Sequence, residues 1–127
     1  MDPNQLPEEV YKTLKLVTGI LDQNQIKYWL GGGLFQLISQ GRYEDIEKHF
    51  KDHDIDLHVL ESQKNIVYEV FKADQALQNV NLYSAPSGKI VKISFKVNDV
   101  SVETPFLFHS SDDPNVIFYI SWGKKED

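Results

Sequence analysis

Residues 52–58 read Asp-His-Asp-Ile-Asp-Leu-His, with aspartates at 52, 54 and 56. Carboxylates on alternate positions, running into Leu57, Val59 and Leu60, have three uses. They can solvate a strand edge, fill a calcium loop, or hold a cation where a strand begins. A calcium loop of the EF-hand type needs glycine at its sixth position and a bidentate glutamate at its twelfth. Counted from Asp52, those positions hold Leu57 and Gln63, so the calcium reading fails. In an extended segment Asp54 and Asp56 share one face. Two like charges so placed repel unless a cation or a proton sits between them, and aspartate is depleted in strands. An isolated Asp-x-Asp is most often a solvated surface. The pair gains meaning from what precedes it.

That stretch is Tyr28-Trp29-Leu30-Gly31-Gly32-Gly33-Leu34-Phe35. An apolar strand runs into three glycines, and an apolar helix starts at once. Glycine lets backbone approach a ligand closely, and a helix N-terminus offers free N–H groups and the positive end of the dipole. Phosphate is the natural guest of such a turn. The spacing is neither a Walker loop nor Gly-x-Gly-x-x-Gly. A tight strand-to-helix turn that needs glycine for packing alone remains the alternative. Arg42 and Lys51 are candidate phosphate contacts, although exposed cations commonly serve solubility. His49 and His53, four apart, have the spacing of zinc ligands on a helix, but no His-Glu-x-x-His pattern surrounds them. His58 shares the strand face of Asp56 and is either a supporting partner of it or a partly exposed strand residue. Tyr28, Trp29 and Phe35 read as packing near the glycine turn, or as a surface for stacking a base.

The elements that must position these groups alternate. Residues 6–25 carry Pro7 at a first helical position, Glu8 and Glu9 where the helix dipole favours acids, and Val10, Leu14, Val17 and Leu21 at helical spacing. Residues 26–30 read as a strand and 34–41 as a buried helix ending near Gly41. Residues 42–52 are polar and amphipathic, a helical turn or an inserted loop lying over a cleft rather than in the core. A strand follows at 54–60. Over 62–79 the pattern predicts a helix, with Ser62 able to cap and Ile66, Val70 and Phe71 facing inward. The period then shifts toward two, giving strands at 80–84, 89–97, 100–108 and 116–122. Residues 97–100, Val-Asn-Asp-Val, form a tight hairpin turn. The expected order is α-β-α-β-α-β-β-β-β: an α+β fold with helices packed on a mixed sheet, one domain over 1–127.

Bulk properties agree. The chain has 127 residues, 41% hydrophobic and 25% charged, which is ordinary for a soluble domain. It has no cysteine, so disulfides and thiolate metal sites are excluded. The polar, acidic N-terminus predicts no signal or transit peptide, and no apolar run reaches membrane-spanning length. The expectation is a cytoplasmic protein. A net charge of −6 argues against general nucleic-acid binding, while leaving room for a nucleotide held through a cation.

Strand, glycine turn, helix, then a strand opening on Asp54-Ile55-Asp56 resembles the nucleotidyltransferase superfamily. Within it the stretch is similar to the small enzymes that modify lincosamides and aminoglycosides, with some likeness of Gly31–Ile38 to the LicD and fukutin group. The resemblance covers about residues 8–108, though its motifs occupy three short patches. It implies that Gly32 and Gly33, with Gly31 as a shift in register, hold phosphates. It implies that Asp54 and Asp56 chelate magnesium or manganese. The family's third carboxylate comes from a later strand, often two residues before a proline, and here Glu103 precedes Pro105. The implied activity is metal-dependent transfer of a nucleoside monophosphate from a nucleoside triphosphate to a hydroxyl of a small molecule or partner protein. The alternatives are a non-catalytic nucleotide- or protein-binding member of the fold, and LicD-like transfer of a phospho-alcohol. Three departures stand out. The stretch between the glycines and Asp54 is longer, by residues 44–50. The third carboxylate is Glu where Asp is usual. Many relatives also add a helical region after the last strand, so an enzyme of this length is expected to complete its cleft with a partner or as a homodimer.

Overall fold

In the computed structural model, which describes residues 3–107, four helices pack around a five-stranded mixed sheet in an α+β arrangement. Helix α1 (Glu8–Gln23) starts after Pro7, with Glu8 and Glu9 in its first turn. Its inner face is Val10, Leu14, Val17 and Leu21, extended by Thr13, Thr18 and Ile20. Thr18 is buried without penalty because its hydroxyl donates to the Leu14 carbonyl at 2.7 Å.

Strand β1 (Trp29–Gly31) is shorter than the sequence predicts. Gln25 takes a φ of 58°, and the Ile26 amide still donates to the Leu21 carbonyl at 2.9 Å, so the chain is completing its turn out of α1 at residue 26. Helix α2 (Gly32–Ser39) begins as β1 ends. The polar stretch after it forms a 3-10 turn (Tyr43–Asp45) and a short helix, α3 (Ile46–His49). Ile46 is fully buried, with Tyr43 and Phe50 packed against the core. The segment is therefore pinned by three apolar residues, which corrects the expectation that it lies over a cleft rather than in the core.

Strand β2 (Ile55–Leu60) is followed by a 3-10 turn (Glu61–Gln63) and helix α4 (Lys64–Ala73). Ser62 does not cap α4; it sits inside the 3-10 turn, and Gln63 is the residue before the helix. The inner face of α4 is Val67 and Phe71, with Val70 partly covered, while Ile66 is 45% exposed. The buried stripe falls one residue further along, on Val67 and Phe71 four apart, which leaves Ile66 toward solvent. Strands β3 (Gln78–Ser84), β4 (Ile90–Val97) and β5 (Val100–Leu107) form an antiparallel meander. The expected hairpin turn joins β4 to β5 with Val97 opposite Val100 and Asn98 at a φ of 54°. The strand expected at 116–122 lies outside the described residues.

The sheet order is β1-β2-β5-β4-β3, with β5 inserted parallel to β2. Alternation sorts each strand's side chains. Ile55, Leu57, Val59, Ile93, Phe95, Val102 and Phe106 are buried in the core with α1 and α4. Asp56, Ser94 and Glu103 point to the opposite face. Among the described residues no helix is long and apolar enough to cross a membrane.

Candidate functional site

Parity puts the carboxylates on one face, and register brings them side by side. In the parallel β2–β5 pair, Asp56 stands opposite Glu103. In β5–β4, Glu103 stands opposite Ser94, and in β4–β3, Ser94 stands opposite Asn81. One row across four strands thus reads Asp56, Glu103, Ser94, Asn81. Asp54, just before β2, has the same parity as Asp56 and hydrogen-bonds Glu103. The residue two before Pro105 is therefore brought beside the two aspartates.

The glycine turn meets this row. Gly31 pairs with Asp56 across β1–β2. Gly32 takes a φ of 65°, and a Cβ there would overlap the Asp56 Oδ2 atom. A side chain at Gly33 would collide with the imidazole of His49. Only glycine lets the start of α2 lie this close to the carboxylate and the ring.

The electrostatics are those of crowded acids. Burial, then the charges of Glu103 and Asp54, push the Asp56 carboxyl up to about 6. The hydrogen bond from Glu103, with burial and charge repulsion, raises Asp54 as well. Glu103 is lowered, first by the same hydrogen bond and then by Lys92. Asp54 and Glu103 thus share a hydrogen bond that requires one proton between the two carboxyls. The ammonium of Lys92 forms an ion pair with Glu103 Oε2. Asp54, Glu103 and Lys92 line a cavity of about 340 Å3 that extends over Ser94, Asn81 and Tyr83.

Among the described residues no three His, Cys, Asp or Glu side chains stand as a ready metal-ligating group. The donor set nevertheless suits a hard divalent cation. Three carboxylates from two adjacent strands repel one another, are held partly out of water, and have a side-chain-free backbone turn beside them. Mg2+ and Mn2+ take oxygen donors and keep some waters. Asp54, Asp56 and Glu103 are the residues that would hold such an ion.

Other candidates go elsewhere. Arg42 does not join the carboxylates; its Nε donates to Asp45 Oδ2 at 2.8 Å and its Nη1 to Gln40 at 3.2 Å, a local surface arrangement. Lys51 lines a cleft with Glu8, Glu47 and Asp99 instead. His49 and His53 stack with ring centroids 4.3 Å apart and planes 11° from parallel, so their nitrogens do not converge on a metal. Burial, then the charge of His53, lowers the pKa of His49. His58 turns toward the backbone of Trp29 rather than to Asp56; its Nδ1 is buried with no hydrogen-bond partner among the described residues, and burial lowers its pKa. Sequence reasoning missed Lys92, Ser94 and Tyr83. The signal was present in β4, where Lys92, Ser94 and Lys96 alternate with Ile93, Phe95 and Val97. A strand with that pattern presents its polar residues to the face carrying Glu103.

Compared with protein-family models, curated proteins and solved structures, the chain matches none.

Proposed function

We propose that the protein is a metal-dependent nucleotidyltransferase that moves a nucleoside monophosphate from a nucleoside triphosphate to a hydroxyl of a small molecule or partner protein. The observation that carries this reading is the seat of Gly32 against Asp56, with Glu103 in register beside it. It joins a phosphate-binding helix start to a carboxylate set, the two parts such chemistry needs.

The residues divide the work. Backbone N–H groups at Gly32 and Gly33 bind phosphate oxygens at the positive end of α2. Asp54, Asp56 and Glu103 would hold Mg2+ or Mn2+, which when bound supplies charge neutralisation for the triphosphate. The acceptor hydroxyl attacks the α-phosphorus. A new O–P bond forms, the bond to the pyrophosphate oxygen breaks, and pyrophosphate leaves with its electron pair. The hydroxyl proton must go to a base, and Asp54, once the proton it shares with Glu103 has left, is the aspartate that faces the cavity where an acceptor would sit. Positioning and charge stabilisation supply most of the rate in transfers of this kind.

One observation favours a second reading, a non-catalytic nucleotide- or protein-binding member of the same fold. The Lys92 ammonium already neutralises the third carboxylate. Incubation with each of the four nucleoside triphosphates, Mg2+ and a panel of hydroxylated acceptors separates the two. Acceptor-dependent pyrophosphate release supports the enzyme. Nucleotide binding that is indifferent to Mg2+, with no pyrophosphate release, supports the binding module.

A further inference from the structure

Lys92 reaches Glu103 diagonally. In the β4–β5 register Lys92 stands opposite Pro105, while Ser94 stands opposite Glu103. Pro105 brings no charge of its own, and Ser94 is too small to fill the space above Glu103. The long lysine side chain can therefore lean across to the carboxylate, as diagonal neighbours on a sheet do. The pair is only partly exposed, 35% for Lys92 and 24% for Glu103. The same ammonium also feels the charges of Asp54 and Asp56. It serves the whole acidic group.

Lys92 has a second partner. Its Nζ lies 5.5 Å from the ring centroid of Tyr83, within the range of cation–π attraction. Tyr83 is directly opposite Lys92 in the β3–β4 register. Carboxylate and aromatic ring both line the same cavity. A compact ammonium on a flexible stem can exchange one for the other.

We propose that Lys92 is a positioning residue of this site: an internal counter-ion that holds Glu103 until a divalent cation displaces it, and then keeps its charge over Tyr83, facing an anionic group of the substrate. The inference rests on the reading of Asp54, Asp56 and Glu103 as cation ligands. A divalent ion and an ammonium on the same carboxylate repel each other, so binding of the first favours movement of the second. Ordering the acid before the cation arrives and yielding when it does are two consequences of one ion pair.

Mn2+ binding measured by calorimetry at pH 8, without nucleotide, tests this on wild type, Lys92→Met and Lys92→Arg. Removing the competing charge should tighten Mn2+ binding about fivefold, the scale of a partly exposed ion pair. The arginine variant, which keeps the charge, should bind as wild type does. Unchanged or weaker binding by a folded Lys92→Met overturns the inference and leaves the carboxylate reading standing. Absence of Mn2+ binding in every protein overturns the carboxylate reading and this inference with it. The wild-type chain supplies a second measurement that needs no variant. The Lys92 side-chain 15N resonance should move during a Mg2+ titration and saturate with the ion. A resonance that stays fixed while Mg2+ binds overturns the displacement.

Discussion

The two ends of helix α2 carry the same backbone feature in different surroundings. Gly32 at its start has a φ of 65°, and Gly41, just past its end, has a φ of 70°. Beside Gly32 stands the Asp56 carboxylate, in the space a side chain would take; around the missing Cβ of Gly41 no described residue other than its chain neighbours comes within 4 Å. Charged neighbours differ in the same way. Next to Gly41, Arg42 is satisfied by Asp45 three residues away, in a pair whose side chains are 54% and 40% exposed. At the other end, the acids are brought together across strands and answered by Lys92 from a third strand. A left-handed glycine alone ends a helix. A left-handed glycine packed against a half-buried carboxylate brings backbone N–H groups and an acid to one place, the arrangement the proposed function uses.

The sharpest way to break this comparison is through turnover. Glu103→Ala should lower acceptor-dependent pyrophosphate release by roughly 10²–10³-fold, the scale of losing one preorganised charge that stabilises a transition state. Arg42→Ala should leave it within about twofold, as befits an exposed local pair. Equal losses in the two variants would erase the distinction between the two ends.

Stability gives the next largest contrast. Gly41→Ala incurs only the left-handed strain, about 1 kcal/mol. Gly32→Ala incurs that strain and also forces the Asp56 carboxylate aside, for a total of roughly 2–3 kcal/mol. Urea unfolding of the two variants checks the difference. Similar costs would mean that Asp56 moves away freely and that the contact is incidental.

A smaller effect separates the carboxylates by pH. The Asp56 carboxyl is raised from an ordinary 3.8 to about 6 in the fold. The folded state therefore binds a proton that the unfolded chain lacks between these values, so Asp56 lowers stability as pH rises through that window. At about 1.36 kcal/mol per unit the limit is near 3 kcal/mol, and solvent screening of a partly buried group reduces it to on the order of 1–2 kcal/mol. Glu103, which is lowered, acts with the opposite sign, as do the lowered His49 and His58 when they charge in acid. The informative quantity is the difference between wild type and Asp56→Asn. The variant should gain on wild type from pH 4 to pH 8, and parallel pH profiles would show that Asp56 carries no repulsion.

Much of this could be read from residue order. Val10, Leu14, Val17 and Leu21 gave α1 directly, and alternation gave β2, β4 and β5. The joint placement of a glycine turn, Asp54, Asp56 and Glu103 was expected from the resemblance to nucleotidyltransferases, and strand parity, a local property, puts the acids on one face. Lys92 was harder to find. Its partner Glu103 lies across the β4–β5 hairpin, but its nearness to Asp54 and Asp56 depends on β5 being inserted between β2 and β4, a matter of sheet order that no short stretch encodes. Arg42 shows the complementary case: its partner Asp45 is three residues away, and this local pair stands apart from the carboxylates. Residues 42–52 were misread because their polarity hid the single buried Ile46 that anchors them.

The central claim is that Asp54, Asp56 and Glu103 hold a divalent cation together with a nucleoside triphosphate. Thermal and urea unfolding of wild type and Asp56→Asn, with and without Mg2+ plus each nucleoside triphosphate, test it most directly. Ligand at about tenfold over its dissociation constant raises native stability by about 1.4 kcal/mol. Wild type should show that gain with at least one nucleotide only when Mg2+ is present. Asp56→Asn should lose the gain while its ligand-free form stays as stable as wild type or becomes more so, since one of several crowded charges is removed. An unshifted wild type with all four nucleotides, or an equal shift in the variant, would contradict the claim.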